Sequence, residues 1–306
     1  MSNEGFCQVL KPDFSLSLYI YIKCNQTNIT FLAIHQGIGS KKNSFKWWLI
    51  PILLVVVTIV GVYSLDSTHK LYAKTVKSAS QPTISSIINN NKQYQIGVAL
   101  ENISTNQVQA YGLNAPFEAA STSKIIMACA YYHLVEKNQA SLDTLLGPYP
   151  ASYQIREMVK DSDNDSWALI ENAIGDDELE AYSQSIGIGY TVDGNLLSPS
   201  DMAKFLAELY GGKVLNTVDT KQLLSYMQNT NDELLIPDAV PSDVTVYHKY
   251  GLLNGELHDV AILVKGKSAY ALAIYTKGDS GQASVDSRTD IIHQITKAAI
   301  NQISYE

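Results

Sequence analysis

Cysteine is scarce in this 306-residue chain, with only Cys7, Cys24 and Cys129. Only Cys129 lies beyond a long apolar run at residues 47–65, so the portion after that run cannot form an internal disulfide. No Cys/His spacing of a zinc site occurs, and no metal or organic cofactor is implied. Cys129 itself reads as a small buried residue on a helix. Charge is sparse as well: Asp, Glu, Lys and Arg make up 17% and the formal net charge is −8. A nucleic-acid partner needs a basic face, which this balance does not supply. Repeats and low-complexity tracts are lacking too, so solenoids and disordered arrays are excluded. The 46% of apolar residues is enough for a real core in one large domain or two small ones.

What is present, first, is the run 47–65, WWLIPILLVVVTIVGVYSL, with no charged residue and about the length of a bilayer span. Lys41, Lys42 and Lys46 precede it, which keeps the N-terminal side in the cytoplasm and sends the rest outside. The expected organisation is an N-terminal tail over 1–46, a transmembrane signal-anchor over 47–65, a polar linker over 66–79 and a domain over 80–306. That places the chain in the cell membrane, single-pass, with an extracellular C-terminal domain. Secretion after signal cleavage is the alternative, but no small-x-small cleavage site directly follows the run. Residues 1–40 carry no clear period or motif, and read as a short cytoplasmic tail or as the product of a start codon assigned too far upstream.

Within the domain, Pro82 to Asn90 has a helical stripe at Ile84, Ile87 and Ile88. Tyr94–Glu101 and Gln107–Tyr111 alternate around a turn and predict a hairpin. A mostly helical stretch follows from Ser121 to about Gln228. Strands return at Val244–Tyr250, His258–Lys265 and Ala269–Thr276, and a closing helix runs from about Val285 to Ile303. Strands from both ends thus flank a helical block. The expected fold is α+β, a five-stranded antiparallel sheet flanked by terminal helices plus a mostly helical subdomain, with a cleft between sheet and block.

Ser121-Thr122-Ser123-Lys124 opens the apolar run IIMACAYYHLV. A helix starting at Ser121 sets Ser121 and Lys124 on one face. A serine hydroxyl needs a base to become a nucleophile, and a desolvated lysine is one. The helix tip adds a positive dipole end and a free N–H for an oxyanion. Ser-x-x-Lys alone is a common accident, since serine is an ordinary helix cap. Two further elements follow in order: Ser162-Asp163-Asn164 and, at a strand end, Lys249-Tyr250-Gly251.

Ser-x-x-Lys, Ser-Asp-Asn and Lys-Thr-Gly form one ordered set in class A β-lactamases and penicillin-binding proteins. From about residue 80 to 304 the chain resembles that serine hydrolase superfamily, also in Phe117–Ala120, in Leu197–Ala203 and in Gly255–Ala261. The resemblance implies an active-site serine hydrolase acting on β-lactams or on peptidoglycan stem peptides ending in D-Ala-D-Ala. Ser121 would be acylated, Lys124 would take its proton, Ser162 would pass a proton to the leaving nitrogen and Lys249 would supply charge for a substrate carboxylate. Asn164, Tyr250, Gly251 and Leu252 would bind substrate, with the Ser121 and Leu252 N–H groups as the oxyanion hole. The chain departs from the pattern twice. The Ω-loop Glu-x-x-Leu-Asn is not found between Asn164 and Met202, and Tyr250 stands where the family has Thr or Ser. The first departure predicts slow deacylation. Both leave room for a penicillin-binding sensor or pseudoenzyme of the same fold. Of the carboxylates Glu171, Asp176, Asp177, Glu178, Glu180 and Asp193, each reads as a solvated charge. His248, beside Lys249, reads as a packing residue, with tuning of the lysine's charge as the alternative.

Overall fold

The computed structural model describes residues 20–25, 28–33 and 82–303. The apolar run 47–65 lies outside the described residues, and with it the expected anchor, most of the tail and the linker. Among the described residues no helix is long and apolar enough to cross a membrane. In the N-terminal unit two strands, β1 (Ile20–Asn25) and β2 (Asn28–Ala33), pair antiparallel in a stretch where the sequence suggested no period.

The second unit begins with α1 (Ile84–Asn90), capped by Thr83, whose hydroxyl accepts the Ser86 N–H at 3.2 Å. Strands β3 (Gln95–Asn102) and β4 (Gln107–Gly112) form the expected hairpin. The helical block comprises β5 (Phe117–Glu118), a 3-10 turn over Ala120–Ser123, α2 (Lys124–Glu136), β6 (Leu145–Leu146), β7 (Tyr149–Pro150), α3 (Ala151–Lys160), α4 (Asn164–Ile174), α5 (Asp176–Ser185), β8 (Leu196–Leu197), α6 (Pro199–Tyr210), α7 (Thr217–Tyr226) and α8 (Ile236–Ala239). Strands β9 (Thr245–Leu253), β10 (Glu256–Lys265) and β11 (Ser268–Lys277) and helix α9 (Gln282–Gln302) complete the chain. The five long strands form one antiparallel sheet in the order β4-β3-β11-β10-β9, as expected.

Alternation along the strands sorts side chains between two cores. Val98, Leu100, Leu272 and Ile274 face α1 and α9, where Ile84, Ile87, Ile291, Ile292 and Ile295 are buried. Ala99, Ala271 and Ala273, one step out of phase, face the helical block and meet Met202, Phe205 and Leu206. Small residues on that face let α6 lie close to β3 and β11. Helix α2 has no polar face because it runs through the middle of the block, with residues 124–132 all buried.

Candidate active site

Three pieces of chain meet at the free edge of the sheet: the 3-10 turn with the start of α2, the Asp161–Asn164 turn between α3 and α4, and strand β9. The helix expected to start at Ser121 is a 3-10 turn there, and α2 proper starts at Lys124. The tighter turn eclipses positions i and i+3, so Ser121 and Lys124 still share one side. Seven non-glycine residues among those described have positive φ, and five are Asn, which tolerates that region. The other two are Ala120 (φ 49°), just before the candidate nucleophile, and Ser162 (φ 58°). Backbone strain of about 1–3 kcal/mol per residue persists only where surroundings enforce it, and it concentrates at functional sites.

The surroundings that enforce it are visible. The Ala119 N–H donates to the Asn195 carbonyl at 2.7 Å, and the Asn195 side-chain amide donates to the Ala120 carbonyl at 3.0 Å. Tyr190 donates its hydroxyl to Asn195 Oδ1 at 3.0 Å. The segment 186–198 between α5 and α6 therefore folds back as a brace, with β8 pairing β5. Its one carboxylate, Asp193, is exposed. On the other side His258, fully buried, accepts the Thr276 N–H on Nδ1 at 3.1 Å and so carries its proton on Nε2. Nε2 donates to the Glu118 carbonyl at 2.9 Å. Burial pushes its pKa down to about 4 and keeps it neutral.

Lys124 is fully buried. Its Nζ donates to the Ser162 carbonyl at 2.6 Å and to Asn164 Oδ1 at 2.7 Å, and lies 3.4 Å from Ser162 Oγ. It also sits 4.9 Å from the centre of the Trp167 ring. Burial lowers its pKa to about 8, against the opposing charge of Asp163. Asp163 caps α4: its Oδ1 accepts the Ser166 N–H at 2.6 Å, which holds its carboxyl below the usual range. Lys249, also fully buried, donates to Ser162 Oγ at 2.9 Å and to the Tyr250 carbonyl at 3.0 Å. Burial, and then the charge of Lys124, lowers its pKa to about 7. The Ser162 hydroxyl thus lies between two lysine amines whose charges are both weakened. Ser121, Ser162 and Tyr250 are half-buried and Asn164 is exposed, so the lysines form the floor and the hydroxyls face outward.

The expected oxyanion donors are also placed in register. Asn254 (φ 49°) and Gly255 (φ 100°) form a two-residue hairpin turn, so Leu253 and Glu256 are a hydrogen-bonded pair. By alternation Leu252, opposite Leu257, is a non-hydrogen-bonded position, and its N–H points away from β10 across the free edge. His248, of the same parity, shows this directly by donating its N–H to the Met227 carbonyl at 2.8 Å. A Cβ on Gly251 would sit 3.0 Å from the Ser121 nitrogen, so glycine is what lets β9 approach the turn. Among the described residues nothing accepts a hydrogen bond from the Ser121 N–H.

One expectation needs correction. His248 does more than pack. It is buried between Asp259, whose Oδ1 lies 3.0 Å from Nδ1, and Glu233, whose Oε1 lies 3.2 Å from Nε2. Burial works against its charge, but the two carboxylates outweigh it and raise the pKa to about 9. Asp259 also accepts the Ile236 N–H at 2.8 Å, so this pair ties β9 and β10 to α8. Lys249, expected near Ser162 to supply charge for a substrate carboxylate, does lie beside Ser162, enclosed with the Tyr250 ring centre 4.2 Å from its Nζ. Sequence reasoning missed Asn195, Tyr190, Asp259 and Glu233. Only Asp259 lay within a stretch already singled out. Of the six carboxylates considered as water activators, Glu171 is half-buried and its pKa is raised by burial and then by Asp176. Among the described residues no cluster that could hold a metal ion occurs.

Comparison with known proteins bears on the fold that carries this arrangement. A search among curated proteins gives no match. Among solved structures, PBP-A superposes with a TM-score of 0.65 at 20% identity, covering 72% of this chain and 95% of its own. A mutant of PBP-A in an acyl-enzyme complex with penicillin G superposes with a TM-score of 0.64 at 20% identity, covering 72% and 95%. A variant of the last common ancestor of Gram-negative bacteria β-lactamase class A gives 0.67 at 20% identity, covering 73% and 99%. These likenesses are of fold. The Beta-lactamase enzyme family matches residues 79–303, nearly three quarters of the sequence. The chain therefore belongs to the β-lactamase enzyme family.

Proposed function

We propose that this protein is a serine hydrolase acylated at Ser121 by β-lactams or by D-Ala-D-Ala-type amides, and that it clears the acyl group slowly. The carrying observation is the Ser162 hydroxyl set 2.9 Å from Lys249 Nζ and 3.4 Å from Lys124 Nζ, at the mouth of a buried two-lysine floor. A neutral Lys124 amine keeps two N–H groups, which match its two short bonds to Ser162 and Asn164 and leave a lone pair for the Ser121 proton. Ser121 Oγ then bonds to the carbonyl carbon, and the resulting oxyanion takes the Ser121 and Leu252 N–H groups. As the C–N bond breaks, Ser162 gives its proton to the leaving nitrogen and regains one from the lysine floor. Deacylation needs a base to activate water. The braced segment 186–198 carries only the exposed Asp193, which favours a long-lived acyl-enzyme.

A non-hydrolytic sensor of the same fold is the second reading, and the enclosure of Lys249 by Tyr250 favours it. Mass spectrometry of the full chain during exposure to benzylpenicillin separates the two. The expected result is one adduct on Ser121, persisting over many minutes and abolished by Ser121→Ala. An adduct never cleared would support the sensor, no adduct at all would support a pseudoenzyme, and rapid multiple turnover would remove the slow step. The apolar run 47–65 and its flanking lysines support a membrane anchor with the domain outside the cell. Protease accessibility of the domain on intact cells tests that placement.

A further inference from the structure

We propose that Tyr250 has tilted the leaving-group side of this site from a carboxylate toward an uncharged group, such as a carboxamide or a continuing amide chain, so that donors bearing a carboxylate still acylate Ser121 but more slowly. The inference rests on the acylation of Ser121 proposed above and names the substrate class that the same site takes.

A free carboxylate needs an exposed cation or a convergent set of donors. The chain contains two arginines, Arg156 and Arg288. Arg288 is fully buried at the far side of the β9–β10 turn, where it donates to the carbonyls of Gly255, Asp279 and Ser284. Arg156 pairs with its neighbour Glu157. Lys124 is committed beneath the Ser162 turn, as described. Lys249 has no exposed surface, its bonds go to Ser162 and to its own neighbour's carbonyl, and the Tyr250 ring lies over its amine. His248, on the same strand, is held between Asp259 and Glu233.

Tyr250 stands half-buried at the opening with its ring over the Lys249 amine, and burial, with the nearby charges of Asp232 and Asp161, raises the pKa of its phenol. The loop carrying Asn231 is fastened over the site: its N–H donates to the Lys160 carbonyl at 3.1 Å and its side-chain amide to the Asp161 carbonyl at 2.7 Å. A carboxylate arriving here meets the aromatic ring that covers Lys249 and not its amine, whereas an amide finds a phenol as donor and acceptor. Discrimination of this kind acts by excluding the wrong ligand as much as by holding the right one.

The test uses matched acyl donors. N-acetyl-D-alanyl thioesters of thioglycolic acid and of thioglycolamide transfer the same acyl group to Ser121 and release thiols that differ only in that charge. Rates of thiol release by the full chain are normalised to alkaline hydrolysis of each ester. The expected preference is at least about tenfold for the carboxamide. Tyr250→Thr, at a half-exposed position on an edge strand, is expected to reduce that preference at least tenfold. Tyr250→Phe, which keeps the ring over Lys249, is expected to retain most of it. A wild-type preference for the carboxylate, or a ratio that Tyr250→Thr leaves unchanged, would overturn the inference. If neither ester acylates Ser121, the hydrolase reading fails and the inference with it. Acylation with the wrong preference refutes the inference alone.

Discussion

The two layers of the domain bury different things. Behind the sheet, α1 and α9 close a core of Ile, Val and Leu in which pattern, burial and helix spacing agree. At the free edge in front, the chain buries Lys124, Lys249, His248 and Asp259, and holds Ala120 and Ser162 in left-handed backbone. Buried charges and left-handed backbone gather at this edge, while the back layer keeps to the local rules except at Arg288, buried near the start of α9. The two layers should therefore respond oppositely to mutation: the front should lose function at little cost to the fold, and the back the reverse.

The largest effect is expected at Lys124. Replacing it with Met removes the proposed proton acceptor and should slow acylation by about 10²–10⁴-fold, the usual worth of a positioned acid–base group. Exchanging a buried amine for an apolar chain of similar length is often neutral or stabilising, so the midpoint of thermal unfolding should hold or rise. A large fall in the midpoint would mean that the lysine is a structural strut. Ile292→Ala, in the fully buried back layer, should do the opposite. It should cost about 2–5 kcal/mol of unfolding free energy by denaturant titration, while the adduct rate per folded molecule stays within about twofold. A matching loss of rate would show that the two layers are coupled.

The same division explains what was legible in the sequence. The back layer could be read because its signals are local: alternation along β3, β10 and β11, and Ile spacing along α1 and α9. That the Ser121 turn, the Ser162 turn and Lys249 come together could be read because three short motifs kept their order. The helical block was read only as helical, because β5 and β8 are two-residue strands whose pairing joins positions about eighty residues apart. Asn195 acts through that pairing, so nothing near it in the chain reveals the Ala120 carbonyl that it meets. His248 looked like packing because its partners come from β10 and from the loop before α8. The enclosure of Lys249 depends on where one aromatic ring turns, which no spacing encodes.

The smallest expected effect uses two histidines, one serving the front edge and one the join between sheet and nucleophile. His248 has its pKa raised to about 9 in the fold, against about 6.5 unfolded. Its contribution is full below about pH 6.5 and is lost as pH rises toward 9, because the folded state there binds the extra proton. His258 has its pKa lowered to about 4. It leaves stability untouched above about pH 6.5 and costs more as pH falls toward 4, because the unfolded state there binds the extra proton. Lys124 and Lys249, lowered to about 8 and 7, strengthen the fold as pH rises and partly mask His248, so wild-type curves alone do not separate these groups. Differences between variants do. The stability gap between wild type and His248→Gln should shrink from pH 6.5 to 9, and the gap between wild type and His258→Gln should shrink from pH 6.5 to 4. Gaps that stay constant across those windows would mean that neither ring changes its protonation on folding, and the charged pair at the front edge would then be ordinary packing after all.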